Sequence, residues 1–254
     1  MSFAITLSFP TGRFHATHWS QYVNNNRPEE WPISPWRLLR ALVAVWKRKL
    51  SNDPLLSQSL VEAIFAQLTT PPMFKLPPAT LGNTRHYMPI AEIEKNKQKT
   101  TGAPVLDTFV VLHPEAKLGF LWAEASLSLE ELKGAERLLS HLHYLGRAES
   151  VCMAEVAQML DDEALREELE PVRVLCADPK EWNKWGYSKK KESTFDPKWN
   201  LLADPPLDKE NRSDIPGSRW LTYYRPRDAF ATRPMYRKPS DEAVWFGQWG
   251  ITPE

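Results

Sequence analysis

An α+β fold is predicted by the sequence, because strands with alternating apolar residues are separated by helices with recognisable caps. Residues 3–9 place Phe and aliphatic side chains at every second position, which is typical of a strand with one buried face. Ser34-Pro35 supplies an N-cap and a proline at the first helical position, so a helix is predicted from there to about residue 50. Ser128 and Glu131 form the capping-box pattern of another helix.

The order of the predicted elements narrows this class. A second helix follows Asn52-Asp53-Pro54. Strand-like segments at 107–112 and 117–124 are joined by a short turn that suits a hairpin, and a last strand is predicted at 150–156. The predicted order is therefore strand, helices, strand, strand, helix, strand. This is the βαββαβ order of a ferredoxin-like domain, the fold that RRM-type RNA-binding proteins also use.

The chain is predicted to divide into a ferredoxin-like domain at residues 1–160 and an irregular, Trp- and Pro-rich C-terminal region at residues 161–254. An insertion at about residues 72–104, rich in Pro, Lys and Thr, interrupts the first domain. Because it shows no apolar period towards its end, we expect this insertion to be mobile at its tip. Strands are predicted in the C-terminal region at 172–176 and 219–224, with a loop at 180–209 between them.

Composition argues against several classes of protein. The chain has 254 residues with 42% apolar content, enough for a core, and no run reaches the eighteen or so apolar residues of a membrane helix. The N-terminus lacks a signal-peptide pattern, so a cytoplasmic location is expected. Cys152 and Cys176 stand far apart without clustered His or Asp, which indicates free thiols rather than a disulfide or a metal site. No phosphate-binding loop, HExxH or GxSxG motif is present, and we expect no cofactor.

Charge is unevenly distributed along a chain whose net charge is zero. Residues 1–50 hold seven basic and two acidic residues, whereas residues 128–170 hold four basic and eleven acidic ones. The N-terminal part is therefore the part expected to attract phosphate.

Basic residues are interleaved with aromatic residues and histidines in four clusters, a composition typical of proteins that bind single-stranded nucleic acid. They lie after the first strand, on the first helix, in the insertion, and at a glycine turn after the capped helix. The residues predicted to bind RNA are Arg13, His15, Trp36, Arg37, Arg40, Arg85, His86, Tyr87, Lys99 and Arg147.

Each cluster also has a structural interpretation. The histidines after the first strand are also expected in a hydrogen-bonded turn, Gly146 is first of all a helix stop, and lysines in the insertion also suit a solvated loop. For Lys47, Arg48 and Lys49 the favoured interpretation is structural, because cations stabilise the C-terminal end of a helix.

Four motifs carry a resemblance to a known family. They are Thr11-Gly12-Arg13-Phe14-His15-Ala16-Thr17, the segment from Trp31 to Ala44 (WPISPWRLLRALVA), Thr84-Arg85-His86-Tyr87-Met88-Pro89 and Tyr144-Leu145-Gly146-Arg147-Ala148-Glu149-Ser150. In this order they resemble the type I-G (formerly I-U) CRISPR-associated RAMP protein, in which a Cas-five domain is fused to a Cas-six domain. The similarity spans roughly residues 3–230 and covers the Cas-five part.

The resemblance implies a subunit of a Cascade effector complex in antiviral defence, one that binds the 5′ handle of the guide crRNA at the foot of the complex. It implies a Cas-seven-type backbone subunit, a large Cas-eight-type subunit and a separate Cas-six-type processing domain as protein partners, with target DNA bound only by the whole complex. It also implies that the insertion at 72–104 is a thumb directed towards the backbone subunit.

Two alternatives remain open at the level of sequence. Because the glycine-rich segment of the Cas-six half is not found in this sequence, we expect no catalytic residue, but a metal-independent endoribonuclease with His15 or His18 as general base is the main rival. A protein-only scaffold, with a Trp-rich C-terminal third that binds partner subunits, is the second.

Overall fold

The computed structural model describes residues 2–16, 19, 30–94, 97–157, 169–178, 217–231 and 244–246, and it confirms an α+β fold. Its elements are β1 (Phe3–Ser8), β2 (Arg13–Phe14), α1 (Pro35–Val45), a π-helical turn (Trp46–Leu50), α2 (Gln58–Leu68), β3 (Met73–Leu76), β4 (Ala79–Glu94), β5 (Lys97–Leu112), β6 (Lys117–Trp122), α3 (Leu129–Leu139), β7 (Met153–Ala157), β8 (Leu169–Ala177), β9 (Ser218–Pro226), β10 (Phe230–Ala231) and β11 (Val244–Phe246). All strand pairs are antiparallel among the described residues except β10 with β4.

A five-stranded sheet in the order β11-β3-β6-β1-β7 forms the centre of the molecule. The alternation seen in the sequence explains how β1 sits in it, since Ile5 and Leu7 are buried on the core face. On the same sheet the rings of Phe120 and Trp122 stack at 5.9 Å between centroids. The indole N–H of Trp122 donates to the Leu68 carbonyl, which ties the end of α2 to the sheet.

The three α-helices begin at the caps that the sequence contains. The Ser34 hydroxyl accepts from the Arg37 N–H at the start of α1, and Ser57 caps α2 in the same way. The Ser128 and Glu131 side chains form both bonds of a capping box at the start of α3. The last turn before residue 50 is a π-helix rather than the α-helix that the periodicity predicts.

The insertion consists of paired strands, which were not predicted from the sequence. β4 and β5 pair along sixteen residues each, from Ala79 opposite Leu112 to Glu94 opposite Lys97, and build a long hairpin. At its base Gly82 lies under the ring of Phe109: a Cβ at this position would come within 2.5 Å of Phe109 Cε2. The Phe109 side chain therefore fills the space that Gly82 leaves.

The predicted hairpin between residues 107–112 and 117–124 does not form. Residues 107–112 are the end of β5 and pair with β4 and β2 in a second sheet, ordered β10-β4-β5-β2, whereas β6 lies in the first sheet between β3 and β1. Apolar alternation determines which face of a strand is buried but not which strand it pairs with. Residues 107–112 pair with β4 in a sixteen-residue register instead of with residues 117–124.

Both strands predicted in the C-terminal region are present as β8 and β9, which pair with each other along nine residues. They pack on the core through Tyr223, which is fully buried and whose hydroxyl donates to the Pro72 carbonyl at 3.0 Å. The predicted loop at 180–209 lies outside the described residues. None of the helices described is long and apolar enough to cross a membrane.

Candidate nucleic-acid interface

A groove of about 330 Å³ separates the helix formed by α1 and the π-helical turn from the segment 141–146 that follows α3. Its polar and aromatic lining comprises Trp19, Arg37, Arg40, Arg48, Lys49, His141, His143 and Tyr144. The described residues that line it include no Asp or Glu. The groove therefore combines fixed positive charge, histidines and aromatic rings.

The helical wall carries the cations. Arg37, Arg40, Ala44 and Arg48 recur at intervals of three, four and four residues, which places them along one side of a helix. Arg48 and Lys49 are exposed at the π-helical turn, and the Lys49 ammonium donates to the His141 carbonyl across the groove at 2.9 Å. This contact ties the two walls together.

The opposite wall carries Tyr144, which is 47% exposed, and His143, which is also exposed. The segment bends sharply at Gly146, whose φ is +87°, a value that side-chain-bearing residues rarely adopt. A Cβ at Gly146 would also lie 2.5 Å from the His15 carbonyl oxygen. A glycine is thus required for the wall to approach the end of β2 this closely.

His15 holds this wall in place. Its N–H donates to the Ser150 hydroxyl at 2.7 Å, while its carbonyl accepts from the Arg147 N–H at 2.8 Å and from the Ser150 hydroxyl at 3.1 Å. The ring nitrogens face two carboxylates: Nδ1 lies 2.6 Å from Glu149 Oε1 and Nε2 lies 3.3 Å from Asp107 Oδ1. We call His15, Asp107, Arg147, Glu149 and Ser150 the His15 hub.

Burial and two neighbouring carboxylates act on His15 in opposite directions. The residue is 1% exposed, and this burial lowers the pKa of its imidazole below the usual value, although the hydrogen bond with Glu149 opposes the shift. Burial therefore favours the neutral form of the imidazole. The Arg147 guanidinium, 2.9 Å from Asp107 Oδ2, balances the other carboxylate.

Arg13 lies beside the hub. Its guanidinium carbon is 3.8 Å from the centroid of the Phe109 ring, a cation–π contact, and Nη2 is 3.5 Å from His15 Nδ1. Arg13 is half-buried, and 46% of the Arg147 side chain is exposed. Of the two, Arg147 is thus the more accessible to a ligand.

Arg37 and Trp36 have structural roles at the other end of the groove. The Arg37 guanidinium pairs with buried Glu30 through Nε at 3.1 Å and Nη2 at 2.8 Å, and Glu30 also accepts from the Ser34 N–H. Arg37 also lies over the Trp19 ring at 4.6 Å. Trp36 is 2% exposed and belongs to the core. We therefore count Trp36 and His15 as support for the interface rather than as residues in contact with a ligand.

The remaining predicted residues lie on the hairpin or outside the described chain. Arg85 pairs in register with Leu106, one step from Asp107, whereas His86 and Tyr87 follow it along β4. Lys99 is eight residues from Asp107 along β5, roughly 26 Å at the usual rise of a strand, so the structure does not bring it to the groove. His18 lies outside the described residues.

Sequence reasoning missed much of the groove. For Arg48 and Lys49 the sequence favours the role of helix-end cations over phosphate contact, and it does not single out His141, His143 or Tyr144 as candidates. The available signal was the run His141-Leu142-His143-Tyr144 directly after a capped helix, which places polar rings next to a helix end. The two free cysteines are confirmed as buried, and the described residues contain no cluster of His, Cys, Asp and Glu suited to a metal ion.

No protein-family model matches the chain, and no curated protein is significantly similar to it.

Replacing His15 by Gln should flatten the pH dependence of stability between pH 7.5 and about 5.5. The lowered pKa of His15 means that its contribution is fully present above the ordinary value of 6.5 and is lost as pH falls towards the lower folded value. The measurement is the free energy of unfolding in urea at stepped pH. His113→Gln, in the exposed turn before β6, is the matched control and should keep the wild-type slope. If the free energy of unfolding of His15→Gln and of wild type changed with pH in the same way, the lowered pKa of His15 would be contradicted.

Proposed function

We propose that the chain is a Cas-five-type RNA-binding subunit that holds the 5′ handle of a crRNA in the groove between α1 and the segment 141–146. The observation that carries the proposal is the lining of this groove, in which Arg40, Arg48 and Lys49 face Tyr144 with no carboxylate among the described lining residues. Cations that follow a sugar–phosphate backbone, together with rings on which bases stack, are the two requirements for binding single-stranded RNA.

The strand order supports the finer assignment of the fold. Without β11, the central sheet has the strand order β7-β1-β6-β3. In the βαββαβ pattern these are the fourth, first, third and second strands. That is the antiparallel order of a ferredoxin-like domain of the RRM or RAMP type, and α1 and α3 occupy the two helix positions. In this proposal β3 takes the place that the sequence interpretation gave to residues 107–112.

The β4–β5 hairpin is proposed as the thumb-like insertion. It leaves the body next to the His15 hub, because Asp107 belongs both to β5 and to the hub. In the proposed complex the hairpin meets a Cas-seven-type backbone subunit, while a Cas-eight-type subunit, a separate Cas-six-type domain and the target DNA bind elsewhere in the assembly. The proposed location is the cytoplasm.

The proposed role is binding rather than catalysis. The sequence-based rival uses His15 or His18 as a general base, and a base must reach the proton that it removes. His15 is buried and both of its ring nitrogens already have carboxylate partners. The endoribonuclease alternative with His15 as the base therefore has less support than the binding role; His18 lies outside the described residues.

Removing three cations of the groove should weaken RNA binding and its dependence on salt. The variant is Arg40→Gln/Arg48→Gln/Lys49→Gln, and the measurement is fluorescence anisotropy with a short labelled oligouridine over a salt series. Affinity should fall at least about tenfold, and the salt slope should decrease by about 2, since each phosphate contact on a single strand contributes roughly 0.7.

The matched control removes three exposed cations outside the groove, in Lys117→Gln/Lys133→Gln/Arg173→Gln. It should bind as wild type does. An equal loss in both variants would indicate a diffuse charge effect, and an absence of salt-sensitive binding in the wild type would favour the scaffold alternative.

Tyr144→Ala should weaken binding of the same oligouridine by about 1–3 kcal/mol, the usual contribution of one base stacked on an aromatic ring. The salt slope should stay unchanged because no charge is removed. Tyr144→Phe retains the ring and should bind nearly as wild type, so equal losses in the two variants would argue against stacking.

The identity of the bound RNA is tested by copurification. The tagged chain, expressed with the CRISPR locus of its host, should copurify with the other subunits and with RNA whose 5′ ends share one repeat-derived handle. Crosslinked peptides should include residues 40–49 or 141–147. Recovery of the protein complex without crosslinked RNA on this chain would overturn the handle-binding role.

A further inference from the structure

The hydrogen bonds of His141 fix the position of its ring proton. Nδ1 lies 2.9 Å from the Arg137 carbonyl oxygen and 3.1 Å from the Ser140 hydroxyl oxygen. The Ser140 hydroxyl donates its own hydrogen to the same carbonyl, at 2.9 Å, so both neighbours of Nδ1 are acceptors. Nδ1 must therefore carry the hydrogen, and in neutral His141 the lone pair is on Nε2.

His141 lines the groove, and the charged groups that line it are all donors. Arg40, Arg48 and Lys49 can only donate hydrogen bonds. His141 is half-buried, and its backbone carbonyl receives the Lys49 ammonium that joins the two walls. A ligand that lies between the walls and carries a hydroxyl or amino hydrogen would find its acceptor at Nε2.

We propose that His141 is a specificity-determining residue that selects RNA over DNA by accepting a hydrogen bond from a ribose 2′-hydroxyl. The inference rests on the proposed RNA-binding function. When phosphates contact the cationic helix wall and a base stacks on Tyr144 in the opposite wall, the sugar lies in the space between the walls, which His141 borders. The 2′-hydroxyl is the donor that distinguishes ribose from deoxyribose.

The exocyclic amino groups of bases could also donate a hydrogen bond to Nε2. Uracil has no such amino group, so probes that contain only uracil test the 2′-hydroxyl alone. The probes are therefore three labelled oligouridines of equal length: RNA, the 2′-deoxy form, and the 2′-fluoro form. The 2′-fluoro form keeps the sugar pucker of RNA but has no hydrogen to donate. Binding is measured by anisotropy at neutral pH and moderate salt.

Wild type should bind the RNA about threefold to tenfold more tightly than either analogue, the range expected for one net hydrogen bond. His141→Ala should lower RNA affinity to the level of the analogues and leave the affinity for the analogues unchanged. His141→Gln, whose amide oxygen can accept, should recover part of the preference. His113→Gln, which changes an exposed histidine outside the groove, is the matched control and should keep the wild-type preference.

Equal binding of all three probes by wild type, or an undiminished RNA preference in His141→Ala, would overturn this inference and leave RNA binding by the groove intact. A 2′-fluoro probe that binds like RNA would also overturn it, because the preference would then follow sugar pucker. Absence of salt-sensitive binding to every probe would overturn the proposed function together with the inference.

Discussion

Burial of the His15 side chain between two carboxylates joins three parts of the chain that are far apart in sequence. Its backbone belongs to the end of β2, Asp107 belongs to the root of the hairpin, and Glu149 and Ser150 belong to the wall of the groove. A buried imidazole without partners would cost free energy, so each of these contacts is needed once the residue is inside. The relative position of the groove wall and the hairpin therefore depends on this side chain together with the Arg147–Asp107 ion pair.

Positive charge in the groove is compatible with a stable fold because two helices end there. The helix through Leu50 and the helix α3 both direct their C-terminal carbonyl groups towards this region, and the partial negative charge at a helix C-terminus favours cations. Lys49 illustrates this, since its ammonium group lies on the carbonyl of His141, just beyond α3. The structural and the ligand-binding interpretations of these cations are thus compatible rather than exclusive.

Local features of the fold were predictable from sequence, and non-local ones were not. The caps at Ser34 and Ser128 depend on neighbours within four residues, so their patterns were sufficient to locate α1 and α3. The partner of residues 107–112 depends on β4, about thirty residues away, and apolar alternation is equally consistent with either pairing. For the candidate site, Gly146 and Arg147 stood out through turn chemistry, but their contact with His15 depends on the tertiary fold, and Asp107 had no local signal at all.

The hairpin has a consequence for self-association. In the described structure, the strands on either side of the hairpin pair only with residues at its base. β10 pairs with Ala79 and Thr80, and β2 pairs with Val110 and Val111. Beyond them, two long strands present edges to which another chain could add. Pro89 and Pro104 lie within this part and lack the N–H that a regular ladder requires, so each interrupts the edge of its strand. The hairpin thus carries one proline on each strand, a feature that natural sheets use against edge-to-edge pairing.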